Sequence, residues 1–238
     1  MPAPIRGGPD HRLDQNPRMP SERSILRDAL GIAVASGAYA ISFGAISTAA
    51  GLTLLQTCSL SVLMFTGASQ FALVGVIGAG GSVWAGVATA ALLGARNALY
   101  GLRLSSLLDV HGLRRVAAAH FVIDETTAMA IAREDPRQSR FAFWATGVAL
   151  FMLWNLGTLA GALATHALSN PKVFGLDAAP PAAFLALLAP RLRAREPLAV
   201  AIAAAVIAIA VLPFLPAGVP LLVVALLVAL FGAFRRSG

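Results

Sequence analysis

The chain has 238 residues, of which 58% are hydrophobic and only 12% are charged. A soluble domain carries about 25% charged residues, so this composition excludes an ordinary soluble enzyme and predicts a protein that lies largely in a lipid bilayer. The net charge of +7 comes almost entirely from arginines at the ends of apolar runs. That pattern is typical of cytoplasmic loops, and no basic stripe interleaved with aromatic residues indicates a nucleic-acid partner.

Residues 1–26 are rich in Pro, Arg and Gly and predict a disordered cytoplasmic tail. Ala38-Tyr39-Ala40 resembles a signal-peptide cleavage site, but the apolar run continues past it to about Leu55, so we expect no cleavage there. Cys58 is the single cysteine, which excludes an internal disulfide and a cysteine-based metal site. No nucleotide-binding motif is present, and we expect neither a metal nor a cofactor.

Residues 27–238 are predicted to form one all-α integral membrane domain. About 20 apolar residues cross the hydrocarbon core as a helix, and the candidate spans are residues 29–50, 82–102, 141–168, 176–190, 197–212 and 219–234. Gly37, Gly44 and Gly51 recur every seven residues in the first span, which favours close packing against another helix. Pro136 is expected to stop any helix in the loop 133–140.

Two further apolar stretches, 54–80 and 117–132, contain polar residues and leave two topologies open. If every Arg-rich segment is cytoplasmic, each of these stretches enters and leaves the membrane on one side. If both cross fully, there are eight crossings and only the segment 103–115 lies outside. Both alternatives give a polytopic helical bundle of six to eight membrane segments, at least one broken or re-entrant, with both termini cytoplasmic.

The segment Thr66-Gly67-Ala68-Ser69-Gln70 interrupts the first of these stretches. One interpretation is a helix break whose second half starts near Ser69 and presents free N–H groups to an anion such as a substrate carboxylate. The alternative is a continuous helix in which Gly67 serves packing and Gln70 bonds to a neighbouring helix. Thr66, Gly67, Ser69 and Gln70 are therefore candidate substrate-binding residues.

Arg96 and Asn97 lie in the third apolar stretch. The guanidinium of Arg96 is a two-pronged donor suited to a carboxylate, but an arginine near the cytoplasmic end of a helix also extends to the interface. Asn97 continues a face of small residues and is expected to point toward the bundle. Both are candidate substrate-binding residues, and Asn97 is the better candidate for an inward position.

Asp124 and Glu125 form an adjacent pair of carboxylates in an apolar stretch. Intramembrane carboxylates bind substrate ammonium groups or coupling ions in transporters. The alternative places Asp124 as the N-cap of a cytoplasmic helix. His120 and His166 are single and are expected to be structural, and the tryptophans fit interface anchors or packing.

Four separate stretches, FTGASQFALVGVIGAG, RNALYGLRLS, HFVIDETTA and PAAFLALLAPRL, stand in this order in the chain. Together they resemble the AzlC family of branched-chain amino acid permeases from about Arg27 to the C-terminus. Related members commonly have His after the arginine where this chain has Asn97, and that departure bears on any mechanism that needs a titratable group there.

The resemblance implies an inner-membrane secondary transporter subunit that is not an enzyme. It would export valine, leucine and isoleucine, with methionine as a further candidate, driven by an ion gradient and paired with a small AzlD-type membrane subunit. Two other classes stay open: an intramembrane serine hydrolase with Ser69 as nucleophile and His120 or His166 as base, and an assembly subunit that does not itself transport.

Overall fold

All regular structure in residues 21–167, 189–215 and 219–236, the part that the computed structural model describes, is helical. The helices are α1 (Glu22–Ala49), α2 (Leu54–Leu63), α3 (Gly67–Gly78), α4 (Val83–Leu108), α5 (Leu113–His120), α6 (Asp124–Ile131), α7 (Pro136–Ala167), α8 (Arg195–Val211) and α9 (Val219–Arg236), with a 3₁₀ helix at Ala189–Arg193. Most of the predicted span 176–190 lies outside the described residues, and so does the side chain of His166.

The long helices α1 and α7 lie side by side and run in the same direction. Gly37 of α1 faces Leu153 of α7, and Gly44 faces Thr158, so residue numbers rise together along the contact. Glycines at these crossings, including Gly161 of α7, let the two backbones approach closely. The predicted packing role of Gly37 and Gly44 is therefore confirmed, whereas Gly51 lies in a turn with φ +94°.

Helices α2 and α3 form a hairpin that enters and leaves at one end of α1. Gly78, at the end of α3, lies against Ala50, where α1 ends, so α3 returns to the level from which α2 started. The tip of the hairpin is the break at residues 64–66, and it reaches the middle of α7 at Trp154. The predicted interruption of this stretch is confirmed, and its second helix begins at Gly67.

Helices α5 and α6 form a second hairpin, which enters from the opposite end of the bundle. Met129 near the end of α6 packs with Ile25 and Ala142, near the starts of α1 and α7. At its tip, the break at residues 121–123, Phe121 contacts Phe151 in the middle of α7. Each hairpin therefore has its tip near the middle of the long helices.

One end of the bundle carries most of the charged contacts and is called the arginine-rich end below. Arg133 pairs with Asp28 at 3.5 Å, and Arg140 donates to the carbonyl of Leu107 at 3.1 Å. The segments that follow α4 and precede α7 thus lie at the same end. That placement agrees with the topology in which the stretches 54–80 and 117–132 are re-entrant, and it disagrees with eight crossings, which would separate these segments.

Three boundaries differ from those expected. Helix α1 begins at Glu22, capped by the Ser21 hydroxyl, so residues 22–26 belong to the helix and not to the predicted tail. Pro136 does not end a helix but opens α7, since the first helical position needs no N–H donor. Helix α4 continues to Leu108, six residues beyond the predicted span, and ends at Asp109, whose backbone is left-handed with φ 48°.

Two helices of the described chain are long and apolar enough to cross a membrane, namely α1 and residues 136–165 of α7. Helix α4 has 26 residues, about 39 Å at the usual rise per residue, and carries Arg96 at its centre. The described chain therefore consists of three long helices, two hairpins that each enter and leave at one end of the bundle, and the C-terminal pair α8 and α9, which pack on each other. The total number of crossings stays a prediction.

Candidate functional site

A cavity of about 640 Å³ lies where the tips of the two hairpins meet the long helices. Its wall combines the starts of α3 and α6 with side chains from the middles of α1, α4 and α7: Ala35, Ser36, Tyr39, Phe65, Thr66, Gly67, Ala68, Leu93, Arg96, Ile123, Asp124, Glu125, Leu150 and Trp154. Two helix N-termini therefore face the same space. We call it the central cavity.

The start of α3 offers hydrogen-bond donors and carries no acidic side chain. Thr66 is the N-cap, but its hydroxyl caps nothing, and the first turn contains no Asp or Glu. The N–H groups of the first turn have no acceptor within a helix, and the helix dipole adds about half a positive charge there. This end of the central cavity is suited to an anion.

Trp154 covers the start of α3. A Cβ atom at Gly67 would lie 2.8 Å from Cη2 and 3.3 Å from Cζ2 of the indole, so only glycine fits under the ring. The indole Nε1, on the same edge as Cζ2, is buried and has no hydrogen-bond partner among the described residues, and the same holds for the hydroxyl of Tyr39. Both residues line the cavity, and a buried polar group seldom keeps an unused donor.

The start of α6 has the opposite charge. Asp124 is its first residue and Glu125 its second. Arg96 of α4 pairs with Asp124 at 2.8 Å, with both side chains about one third exposed. Glu125 is half-buried and has no cationic partner among the described side chains. This end of the cavity therefore keeps one carboxylate for a cation.

The remainder of the central cavity is apolar. Its apolar lining includes Phe65, Leu93, Ile123 and Leu150. Phe65 is fixed by edge contacts to Phe121 and Phe151 and by stacking on His120. His120 therefore packs against aromatic rings, as expected for a structural residue. Phe71 of α3 does not line the cavity but is buried in the core against Tyr39 and Phe43.

The predicted site residues separate into two groups. Thr66, Gly67, Arg96, Asp124 and Glu125 all line the central cavity. Ser69 and Gln70 do not: both are buried in the core, and Gln70 Nε2 donates to the Leu60 carbonyl at 3.1 Å, which ties α3 to α2.

Arg96 and Asn97 exchange the roles expected from the sequence. Arg96 does not extend to the interface, because α4 continues twelve residues beyond it and Asp124 holds its guanidinium. Asn97 points away from the central cavity and lines a second cavity beside α5. The N-cap of α6 is Ile123, so Asp124 does not have the capping role considered as an alternative.

Tyr39 and Trp154 are cavity residues that the sequence analysis assigned to packing or left out. Their positions along α1 and α7 carry no local signal, since each is an aromatic residue in an apolar helix. Their polar atoms become candidate hydrogen-bond donors for a ligand only because a hairpin tip lies against these residues in the fold.

A chain whose described part is helical, with membrane-length helices and a cavity that has charged groups between two helix breaks, has the build of membrane transport proteins. Within that class the chain belongs to the AzlC family, since the family profile described as "AzlC protein" matches residues 31–168. That match contains all of the central cavity.

One curated relative is the inner membrane protein YgaZ of Escherichia coli strain K12, which is 30% identical over 142 residues. The aligned region covers 57% of this chain and 58% of that protein, so the chain spans a little over half of the relative's length. No solved structure matches the chain.

Proposed function

We propose that this chain is the large, substrate-binding subunit of an inner-membrane exporter of branched-chain amino acids. Family membership supports a transporter of small solutes, and the central cavity supports a zwitterion with an aliphatic side chain. The single observation that carries the proposal is that two helix starts of opposite charge face the same cavity, one with free donors and one with free carboxylate.

In the proposed complex the substrate carboxylate lies at the start of α3. The free N–H groups there, the Trp154 indole N–H and the Tyr39 hydroxyl are the donors. Hydrogen bonds to a charged acceptor are worth about 1.5–3 kcal/mol each, so two or three of them can offset desolvation of the carboxylate.

The substrate ammonium then bonds to Glu125. Asp124 already has Arg96 as its partner, so Glu125 is the carboxylate free for a new cation. The aliphatic side chain contacts Phe65, Leu93 and Leu150. A branched C3 or C4 side chain suits this surface, because burying each CH₂ group contributes roughly 0.8 kcal/mol.

The remaining features of the proposal are expectations from the sequence. Export from the cytoplasm and a small AzlD-type membrane subunit as partner are implied by the resemblance to the AzlC family. Coupling to an ion gradient is proposed because no nucleotide-binding motif is present, and cytoplasmic termini because of the arginine distribution. The arginine-rich end would be the cytoplasmic one, in agreement with the positive-inside rule.

The test is efflux of preloaded radiolabelled valine, leucine and isoleucine from cells that make this chain with or without the small subunit. Outward flux that needs both chains and stops with an uncoupler supports the proposal. Flux from the small subunit alone would make this chain an assembly subunit. No flux of any of the three, with both chains shown in the membrane, overturns the substrate assignment.

The serine hydrolase alternative has little support from the geometry. Ser69 is 1% exposed, lies outside the central cavity, and its hydroxyl has no hydrogen-bond partner among the described residues. A serine nucleophile needs a base within hydrogen-bond distance. His120, the candidate base whose side chain is described, stacks on Phe65 instead.

A further inference from the structure

Six helices of the chain form two units of the same design. In each unit a re-entrant hairpin precedes a long helix: α2, α3 and α4 in the first, and α5, α6 and α7 in the second. The first hairpin enters from the end where α1 stops, and the second enters from the arginine-rich end. The long helices α4 and α7 run in opposite directions, so the two units have inverted topology.

Contacts at the hairpin tips are exchanged between the units. Trp154 of α7 covers Gly67, the first residue of α3. Arg96 of α4 pairs with Asp124, the first residue of α6. Each long helix thus holds the tip of the other unit's hairpin, once by ring packing and once by an ion pair. The equivalence lies in position and not in residue type.

The first helix of each hairpin, α2 in one and α5 in the other, is packed differently. Helix α2 of the first hairpin lies directly on α7, where Ser61 Oγ and Thr158 Oγ1 are 3.2 Å apart and both side chains are fully buried. Thr57, one turn earlier on α2, is also fully buried, and its hydroxyl has no hydrogen-bond partner in the described part of the chain.

The equivalent contact in the second unit, between α5 and α4, is open. A second cavity of about 620 Å³ lies between these helices and is lined by Gly101 and Ser105 of α4, by Ala118 and Ala119 of α5, and by His111 and Arg115 toward the arginine-rich end. Its wall also contains Leu104 and Leu108 of α4, which are buried in one hydrophobic cluster with Ala118. Its inner limit is Asn97, the neighbour of Arg96. Asn97 and Val122 line the second cavity and their chain neighbours Arg96 and Ile123 line the central cavity, so the two cavities are adjacent but share no lining residue.

We infer that these two contacts are alternating access routes to the central cavity. The structure is the state open toward the arginine-rich end, with the route between α4 and α5 open and the route between α2 and α7 closed. In the opposite state α5 packs on α4 and α2 separates from α7. This explains why hydroxyl groups lie in the closed contact, since Thr57, Ser61 and Thr158 would meet water when it opens.

The experiment combines a disulfide lock with cysteine labelling. In a Cys58→Ser background, Ser61→Cys and Thr158→Cys together can form a disulfide that keeps α2 on α7. Gly101→Cys in the same chain reports on the second cavity, where an added Cβ meets nothing within 4 Å. A membrane-impermeant maleimide is applied from each side of oriented vesicles that contain this chain and the small subunit.

We expect the disulfide to leave Gly101→Cys fully reactive from the arginine-rich end and to raise its labelling rate severalfold over the reduced protein, since the closed state is removed. Each single cysteine variant, with the same reporter, should show no such change under oxidation, and a reductant should reverse it. Protection of Gly101→Cys by the disulfide, or an unchanged labelling rate once the bond has formed, would overturn the inference.

A flux measurement on the same vesicles separates this inference from the proposed function on which it rests. Amino acid flux should fall at least tenfold when the disulfide forms and recover on reduction. Full flux with the bond formed would overturn alternating access while leaving the substrate assignment intact. If no amino acid is transported, the labelling result still decides the inference, because it needs no substrate.

Discussion

The starts of α3 and α6 occupy equivalent positions in the two hairpins but present opposite chemistry to one cavity. The first turn of α3 begins Gly-Ala-Ser and leaves its N–H groups uncovered, whereas that of α6 begins Asp-Glu. Acidic residues are the usual complement of a helix N-terminus. In the proposed function, their absence from α3 leaves a site for the substrate carboxylate, and their presence in α6 provides the site for its ammonium group.

Reversing the charge at the start of α3 should have the largest effect. In Ala68→Glu the new carboxylate is expected to bond to the free N–H groups of α3 and to occupy the place of the substrate carboxylate. We expect at least a hundredfold loss of leucine flux, which is about 2.7 kcal/mol. The measurement is the initial rate per amount of protein in the membrane.

The matched control for that charge reversal is Ala68→Gln, which adds the same volume without charge. It should retain at least tenfold more flux than Ala68→Glu. Equal losses in the two variants would mean that the added volume, and not the anion site, is responsible.

Removing the free carboxylate of α6 should weaken binding without disturbing the fold. In Glu125→Gln the ammonium loses its charged partner, and we expect the half-saturating leucine concentration to rise about 10- to 100-fold, since a hydrogen bond to a charged group is worth about 1.5–3 kcal/mol. Glu134→Gln changes an exposed acid outside the cavity and is the control. An unchanged half-saturation in Glu125→Gln would assign the ammonium elsewhere.

A methyl group at the start of α3 should lower stability by about 1–3 kcal/mol, the usual cost of overpacking. Gly67→Ala places a Cβ 2.8 Å from the Trp154 ring. Gly75→Ala, on the same helix, meets nothing within 4 Å and should be neutral or slightly stabilising. Thermal unfolding in detergent measures both. Equal midpoints would show that the indole does not cover Gly67.

The ion pair at α6 is expected to show a coupling free energy of about 1 kcal/mol, because both side chains are partly exposed. A double-mutant cycle of Arg96→Gln and Asp124→Asn, followed by thermal unfolding, measures it. The comparison cycle uses Arg140 and Asp109, which are 3.6 Å apart and more exposed. A larger coupling for that outer pair would contradict the assignment of Arg96 as the partner that holds the α6 tip.

Ser69→Ala should have the smallest effect. The hydroxyl is buried without a partner, so we expect stability to change by less than about 0.5 kcal/mol and flux to be retained. A fluorophosphonate probe should not label the protein. Labelling that disappears in Ser69→Ala would restore the hydrolase alternative.

The two hairpins also differ in how far the sequence predicts them. The first break was predictable, because Thr66 and Gly67 interrupt an apolar stretch long enough to span. The second break at residues 121–123 reads Phe-Val-Ile, with no Gly or Pro to indicate an interruption. It forms because the Thr126 hydroxyl bonds to the Ile123 N–H and to the Phe121 carbonyl, and packing of the hairpin supports it.

The charged residues of the site were predictable as a set, but their partners were not. Arg96 and Asp124 are 28 positions apart, and their contact depends on the direction in which the second hairpin enters. Whether Arg96 is central or interfacial depends on where α4 ends. The serines that precede Leu108 do not mark that end in the sequence. Trp154 became a site residue only through the position of Gly67.

The most direct test of two oppositely charged helix starts compares leucine with two analogues, each of which keeps the side chain and only one of the charged groups. They are called the two halves of leucine here. Binding of leucine, 4-methylpentanoate and 3-methylbutylamine to the purified two-chain complex is measured by calorimetry, for the natural sequence and for Glu125→Gln. The account predicts that leucine binds at least tenfold more tightly than either half, and that Glu125→Gln removes the advantage of leucine over 4-methylpentanoate. Binding of either half as tightly as leucine to the natural sequence would contradict it.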